Sequence, residues 1–193
     1  MNRTRRRLLQ IGPLLVTGGW ASGARAVEDG WRTLSSGGCA VLLRHARTTP
    51  GTGDPPGFRL EDCLTQRNLS DAGRAQARRF GREFERRGIR VNEVRSSRWC
   101  RCLDTARLAF PQHGVEPLDA LDSFFADGSS GQAQTSALRD YLSELPAMHR
   151  AVLVTHMVNI TALTGEVPAM GDALVVKTGG SGTGAVLGQL RVD

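Results

Sequence analysis

Two unbroken apolar runs set the main constraint on how this chain can fold. The first is Cys39, Ala40, Val41, Leu42 and Leu43; the second is Ala151, Val152, Leu153, Val154 and Thr155. Five residues without polar alternation predict a strand buried on both faces, as in a parallel sheet covered by helices. Both runs end in residues that carry chemistry. Arg44 and His45 follow the first, and His156 follows the second.

Strand and helix patterns alternate around these two runs. Residues 46–68 read as a loop, with Pro50, Gly51, Gly53, Pro55, Pro56 and Gly57 as breakers. Ser70 and Asp71 open a helix, as N-cap and as an acid at the positive helix end, and Gly88 stops it. Ala72, Gln76, Phe80 and Phe84 share one stripe of that helix, while Arg78, Arg82 and Arg86 form a solvated face. Residues 91–96 predict a second strand, followed by a turn over 97–101 and a helix to about residue 110. Residues 115–121 predict a third short strand, and 132–145 a helix ended by Pro146. Two apolar runs, 173–176 and 185–190, flank a glycine-rich stretch and predict a hairpin. The alternation predicts an α/β fold, a mainly parallel sheet with helices on both faces. Ligands of such sheets bind beyond the carboxyl ends of the strands. Arg44, His45, Arg101 and His156 are therefore expected to converge on one edge.

The formal net charge is +6, but it is unevenly placed. Residues 1–26 hold five arginines (Arg3, Arg5, Arg6, Arg7 and Arg25) and no acid, so the +6 falls to +1 on the remainder. A near-neutral body excludes a bulk binder of the nucleic-acid backbone. Residues 1–26 have the layout of an export signal: a basic start, an apolar stretch from Leu8 to Trp20, and small residues Ala24 and Ala26 before Val27. The run from Thr4 to Gln10 fits a twin-arginine signal, with an ordinary secretory signal as the alternative. The expectation is a periplasmic or secreted protein with no stable membrane anchor once the signal is cut. A polar, glycine-rich lead-in over 27–38 would then precede the first strand, in a single catalytic domain over 27–193.

Two arginines at a sheet edge suit a dianion such as phosphate, because their planar forks bind oxygens bidentately. A histidine beside them can act as nucleophile and carry a phosphohistidine intermediate. A second histidine can donate a hydrogen bond to the group in transfer. Such a set calls for no metal and no other cofactor.

Here the chain resembles the histidine phosphatase superfamily, which includes the phosphoglycerate mutases. Leu43-Arg44-His45-Ala46-Arg47-Thr48 is similar to the family's Arg-His-Gly/Ala-x-Thr opening, which implies His45 as nucleophile and Arg44 as phosphate ligand. Leu69-Ser70-Asp71-Ala72-Gly73, with Gln76 and Ala77, resembles its Leu-Thr/Ser-x-x-Gly-x-x-Gln-Ala helix start. Ser96 and Ser97, followed by Arg101, Thr105 and Ala106, resemble a third signature that implies Arg101 as the pocket arginine rather than Arg98. Val154-Thr155-His156 matches the late strand ending in the second histidine. The resemblance implies a three-layer α/β/α, doubly wound, phosphoglycerate mutase-like fold. It also implies a phosphatase acting on a small-molecule phosphate ester.

Departures from the pattern count against a mutase: Met157 follows the second histidine where many members have Gly, and Gly51 replaces a polar loop residue. No glutamate marks the family's proton donor. Asp122 is the first expectation for that acid and Asp127 the second, with burial beside Phe124 and Phe125 to raise the carboxyl. Thr48 is expected either to bond a phosphate oxygen or to close its own turn. Asn159 is expected either to orient a pocket group or to cap the last helix. Arg47, Arg67 and Arg98 read as surface arginines. Export permits disulfides. Cys63 and Cys100 lie in loops at the same sheet edge and are the expected pair. Cys102 takes the place of a small packed Ala, and Cys39 starts the first strand as a buried free thiol. Two rival readings remain at this level: a non-catalytic binder of phosphorylated ligands, and a thiol or metal protein built on Cys100 and Cys102.

Overall fold

Strand β1 (Cys39–Arg44) lies at the centre of a six-stranded sheet ordered β3-β2-β4-β1-β5-β6, in a computed structural model that describes residues 21–192. The other strands are β2 (Glu93–Ser96), β3 (Val115–Pro117), β4 (Arg150–Thr155), β5 (Ala173–Lys177) and β6 (Val186–Leu190). β3, β2, β4 and β1 are mutually parallel, while β5 and β6 add an antiparallel edge as the expected hairpin. The α-helices among the described residues are α1 (Ala21–Ser36), α2 (Asp71–Arg86), α3 (Cys100–Ala109), α4 (Gly131–Glu144) and α5 (Met157–Thr164).

Alternate residues of the buried strands face two cores. Val41, Leu43, Val152 and Val154 pack with Phe80 and Phe84 of α2 and with Trp31 and Leu34 of α1. Ala40, Leu42, Ala151 and Leu153 pack on the opposite face with Leu138 and Leu142 of α4 and Ile160 of α5. The result is the three-layer α/β/α arrangement that the apolar runs require.

β1 and β4 are neighbours in register, Arg44 beside Thr155. β1 leads to α2 on one face and β4 leads to α5 on the other. A crevice therefore opens beyond their carboxyl ends, at the switch in connection direction. α2 starts as the sequence predicts: Ser70 Oγ accepts from the Gly73 N–H at 3.1 Å, and Asp71 sits in the first turn.

The lead-in differs from the sequence expectation. Residues 27–36 continue α1 rather than forming a glycine-rich loop, and Trp31 and Leu34 are fully buried. Gly30 is the reason a polar-looking stretch packs there. A Cβ on it would fall 2.3 Å from the Gln189 carbonyl oxygen of β6. The small-residue end of the leader pattern, residues 24–26, lies within α1. Residues 1–20, which hold its basic start and apolar stretch, lie outside the described residues.

Candidate active site

The first signature is held in place by the second. The Arg47 N–H donates to Gln76 Oε1 at 3.1 Å, while the Arg47 carbonyl accepts from Ser70 N at 3.1 Å. Gly73 lets that carbonyl approach the helix: a Cβ there would sit 1.8 Å from the Arg47 oxygen. Gln76 Nε2 donates onward to the Met170 carbonyl at 3.0 Å. Thr105 of α3 accepts from the Ala46 N–H at 3.0 Å, so the third signature clamps the same loop. The His45 N–H donates to the Thr155 carbonyl at 3.0 Å, which joins the two strand ends.

This framework sets His45 and His156 edge to face, with ring centroids 5.5 Å apart, 3% and 4% exposed. His45 Nδ1 lies 2.9 Å from the Ala46 carbonyl, which can only accept, so Nδ1 carries the proton. Burial first, then Arg101, Arg44 and Arg67, push the His45 pKa down to about 3. The neutral ring therefore has its free electron pair on Nε2. Burial and the same arginines hold His156 well below its ordinary value.

His156 is oriented by a chain of hydrogen bonds. Its Nε2 lies 2.8 Å from Ser97 Oγ, and the Ser97 hydroxyl donates to Asp122 Oδ1 at 3.1 Å. With the serine proton given to the carboxylate, His156 Nε2–H is the donor to serine. Asp122 also accepts from the Arg98 N–H at 2.8 Å and from Arg98 Nε at 2.6 Å. Asn159 Nδ2, in the first turn of α5, holds the Asp122 carbonyl at 2.8 Å, so it orients a loop rather than capping the helix. Cys102 lies with its sulfur 3.5 Å from His156 Nε2. Burial pushes its thiol up to about 12, which leaves it an unreactive packed group.

A cavity of about 450 Å³ opens over the two histidines. Arg44, Arg67 and Arg101 line it, against one carboxylate among the described residues, Asp54. Arg44 Nε and Arg101 Nε are buried without a hydrogen-bond partner among the described residues. Burial, then the charge of neighbouring arginines, lowers Arg44 and Arg67. Three crowded guanidiniums, two of them with an unpartnered Nε, have the charge and the donors that suit an anion. Trp99, Phe58 and Phe125 add an apolar rim.

The structure thus brings His45, His156, Arg44 and Arg101 to one cavity. It does not bring Asp122, Asp127 or Thr48 there. Asp122 is not in the lining: Arg98 and Ser97 take its oxygens, and Ser97 links it to His156. Asp127 caps a short turn through Ser129 N and is exposed. Thr48 Oγ1 accepts from Arg67 and is not part of the lining. Sequence reading missed Asp54 and Arg67. Arg67 Nε donates to the Gly53 carbonyl at 2.8 Å, and Arg101 donates to Asp54 Oδ1 at 2.7 Å. Cys63 and Cys100 form the expected disulfide, Cα to Cα 5.6 Å, which ties this loop to α3. Among the described residues no group of three or more His, Cys, Asp or Glu is placed to hold a metal ion.

Fold and site together define an α/β protein with paired histidines beneath an arginine-lined anion cavity. The family model of the histidine phosphatase superfamily (branch 1) matches residues 40–124, from β1 to the loop after β3. The match is confined to these residues, and the whole sheet has the phosphoglycerate mutase-like histidine phosphatase fold. The structure of the protein histidine phosphatase SixA with tungstate is similar: TM-score 0.57, 16% identity, 79% of this chain and 96% of that one covered. A mycobacterial glucosyl-3-phosphoglycerate phosphatase matches with TM-score 0.52 and 18% identity, covering 72% of this chain and 92% of its own. A phosphoserine phosphatase from Entamoeba histolytica matches with TM-score 0.51 and 14% identity, covering 72% and 89%. No curated protein sequence matches the chain.

Proposed function

We propose that this protein is a phosphatase that hydrolyses phosphate monoesters through a phosphohistidine on His45, without a metal. The observation that carries the reading is the pairing of a neutral His45, its Nε2 free, with two buried arginine Nε donors beside the same cavity. The match of residues 40–124 to the histidine phosphatase superfamily model and the phosphatases of the same fold support it.

In the first step the Nε2 electron pair of His45 bonds to phosphorus as the ester P–O bond breaks. Arg44, Arg67 and Arg101 take the non-bridging oxygens, where charge concentrates in the transition state. His156, neutral in the free site, is drawn toward the imidazolium by the bound dianion. Its second N–H, at Nδ1, then becomes a donor. In the second step water attacks phosphorus, the N–P bond breaks and His45 returns to its neutral form. We also propose that the protein works outside the cytoplasm; the leader pattern and the Cys63–Cys100 disulfide support this.

The test is hydrolysis of para-nitrophenyl phosphate by the wild type and His45→Ala. The expected result is turnover in the wild type and none in the folded variant. Saturable phosphate binding with no turnover in either protein would instead support a non-catalytic binder.

A further inference from the structure

With Asp122 committed to Arg98 and Ser97, the leaving group's proton needs another source. We propose that Asp54 protonates the leaving oxygen, and that the substrate's phosphoryl group arms it by drawing Arg101 away. This assignment rests on the phosphohistidine reading above.

Asp54 is the single carboxylate lining the cavity among the described residues, and its side chain is 7% exposed. Three donors hold it. Oδ1 accepts from Arg101 at 2.7 Å and from the Arg67 N–H at 3.0 Å; Oδ2 accepts from Trp99 Nε1 at 3.0 Å. Only Arg101 among these is a charged group, and it is also the arginine that the third signature places beside His156. Its Nε has no partner among the described residues. One guanidinium is therefore shared between a carboxylate and any phosphate in the cavity.

That sharing links binding to proton affinity. Burial alone would raise the Asp54 carboxyl, but Arg101, the Arg67 N–H and Trp99 outweigh it and keep it below its ordinary value. A bound dianion competes for Arg101 and adds negative charge nearby. Both changes favour the protonated acid, and burial no longer meets full opposition. The two remaining partners are neutral N–H groups, compatible with a carboxyl that keeps its proton until it is needed. The carboxyl takes up that proton from solvent as substrate binds. When the P–O bond breaks, the leaving alkoxide takes the proton from Asp54 and departs as an alcohol. In the second step the attacking water gives a proton to the Asp54 carboxylate, which restores the acid as phosphate forms.

The arrangement predicts a dependence on the leaving group. A nitrophenolate departs without a proton, whereas an alkoxide does not. Asp54→Asn keeps an amide oxygen as acceptor for the Arg67 N–H and Arg101, turns its NH2 toward Trp99, and cannot give up a proton. The experiment compares para-nitrophenyl phosphate and glycerol 2-phosphate with wild type, Asp54→Asn and Asp54→Glu, after thermal melts establish that each is folded. The alkyl ester should lose about 10²–10⁴-fold in kcat/KM in Asp54→Asn, on the scale of general acid catalysis. The aryl ester should lose about tenfold or less. Asp54→Glu should recover part of the alkyl rate, and the basic limb of the alkyl pH profile should vanish in Asp54→Asn. Equal losses on both esters would mean that Asp54 merely positions Arg101 and would overturn the assignment, as would no loss on either. A wild type that cleaves neither ester and forms no phosphoenzyme would overturn the phosphohistidine reading and this assignment with it.

Discussion

The floor of the cavity and its rim are built on different principles. The floor consists of His45, His156 and Arg101, each under 5% exposed and each on a strand end or a helix start. Acceptors on three elements pin its backbone N–H groups: the Thr155 carbonyl on His45, the Thr105 hydroxyl on Ala46 and the Gln76 side-chain oxygen on Arg47. The rim comes from loops. Phe125 is 56% exposed, and Phe58 follows six breakers, Pro50, Gly51, Gly53, Pro55, Pro56 and Gly57. A floor bound on all sides keeps donors where a phosphoryl group must meet them, which is the pre-organisation that electrostatic catalysis depends on. A rim built on loops leaves the body of the substrate to be chosen by loop sequence. On the proposed function, the difference gives chemistry to one region and selectivity to the other.

Arg101→Ala attacks the floor and carries the largest expected effect. It should lower kcat/KM by about 10²–10³-fold, as for other lost charge-stabilising donors. Arg98→Ala, which loses contacts to Asp122 and Asp119 outside the cavity lining, should cost much less. Steady-state kinetics on an aryl phosphate decides the ranking, and the reverse order would break the contrast.

A second expectation concerns the burial of the floor. The folded His45 pKa of about 3 lies below the ordinary histidine value of 6.5. Between those two values the unfolded chain binds a proton at this site that the folded chain refuses, so stability rises with pH across the window. His45 therefore favours the fold fully above pH 6.5, and that contribution is lost as pH falls toward 3. Melting curves from pH 6.5 to 4 should show the wild type losing more stability than His45→Asn. Parallel curves would mean the ring is not held neutral. On the rim, Phe125→Ala should raise KM for an aryl phosphate about fivefold, near the ~1 kcal/mol of a partly buried aromatic contact, with kcat unchanged. A drop in kcat would show that the rim also shapes the chemistry.

The same division governs what the sequence makes legible. Strand burial and helix caps leave local marks: the apolar runs gave β1 and β4, Ser70 gave the start of α2, and strand-end logic brought His45 to His156. Cys63 and Cys100 were placed by the same logic. Elsewhere local pattern carried no signal. α1 reads as a polar lead-in because Gly30, needed for close approach to β6, looks like a breaker. Asp122 beside Phe124 suggests a buried acid, but the Arg98 fork that claims it depends on how two loops pack. Arg67 is one arginine among many, and nothing in residues 46–68 tells that Asp54 turns inward until Arg101 and Trp99 meet it.

The central claim is that His45 carries the phosphoryl group, and trapping that group tests it most directly. Wild-type protein mixed with an aryl phosphate, quenched in alkali and mapped by mass spectrometry should yield one phosphorylated peptide. The phosphate should be acid-labile and located on His45, and Arg101→Ala should accumulate less of it within the first turnover. Turnover without any phosphohistidine, or a phosphoryl group on another residue, would contradict the account.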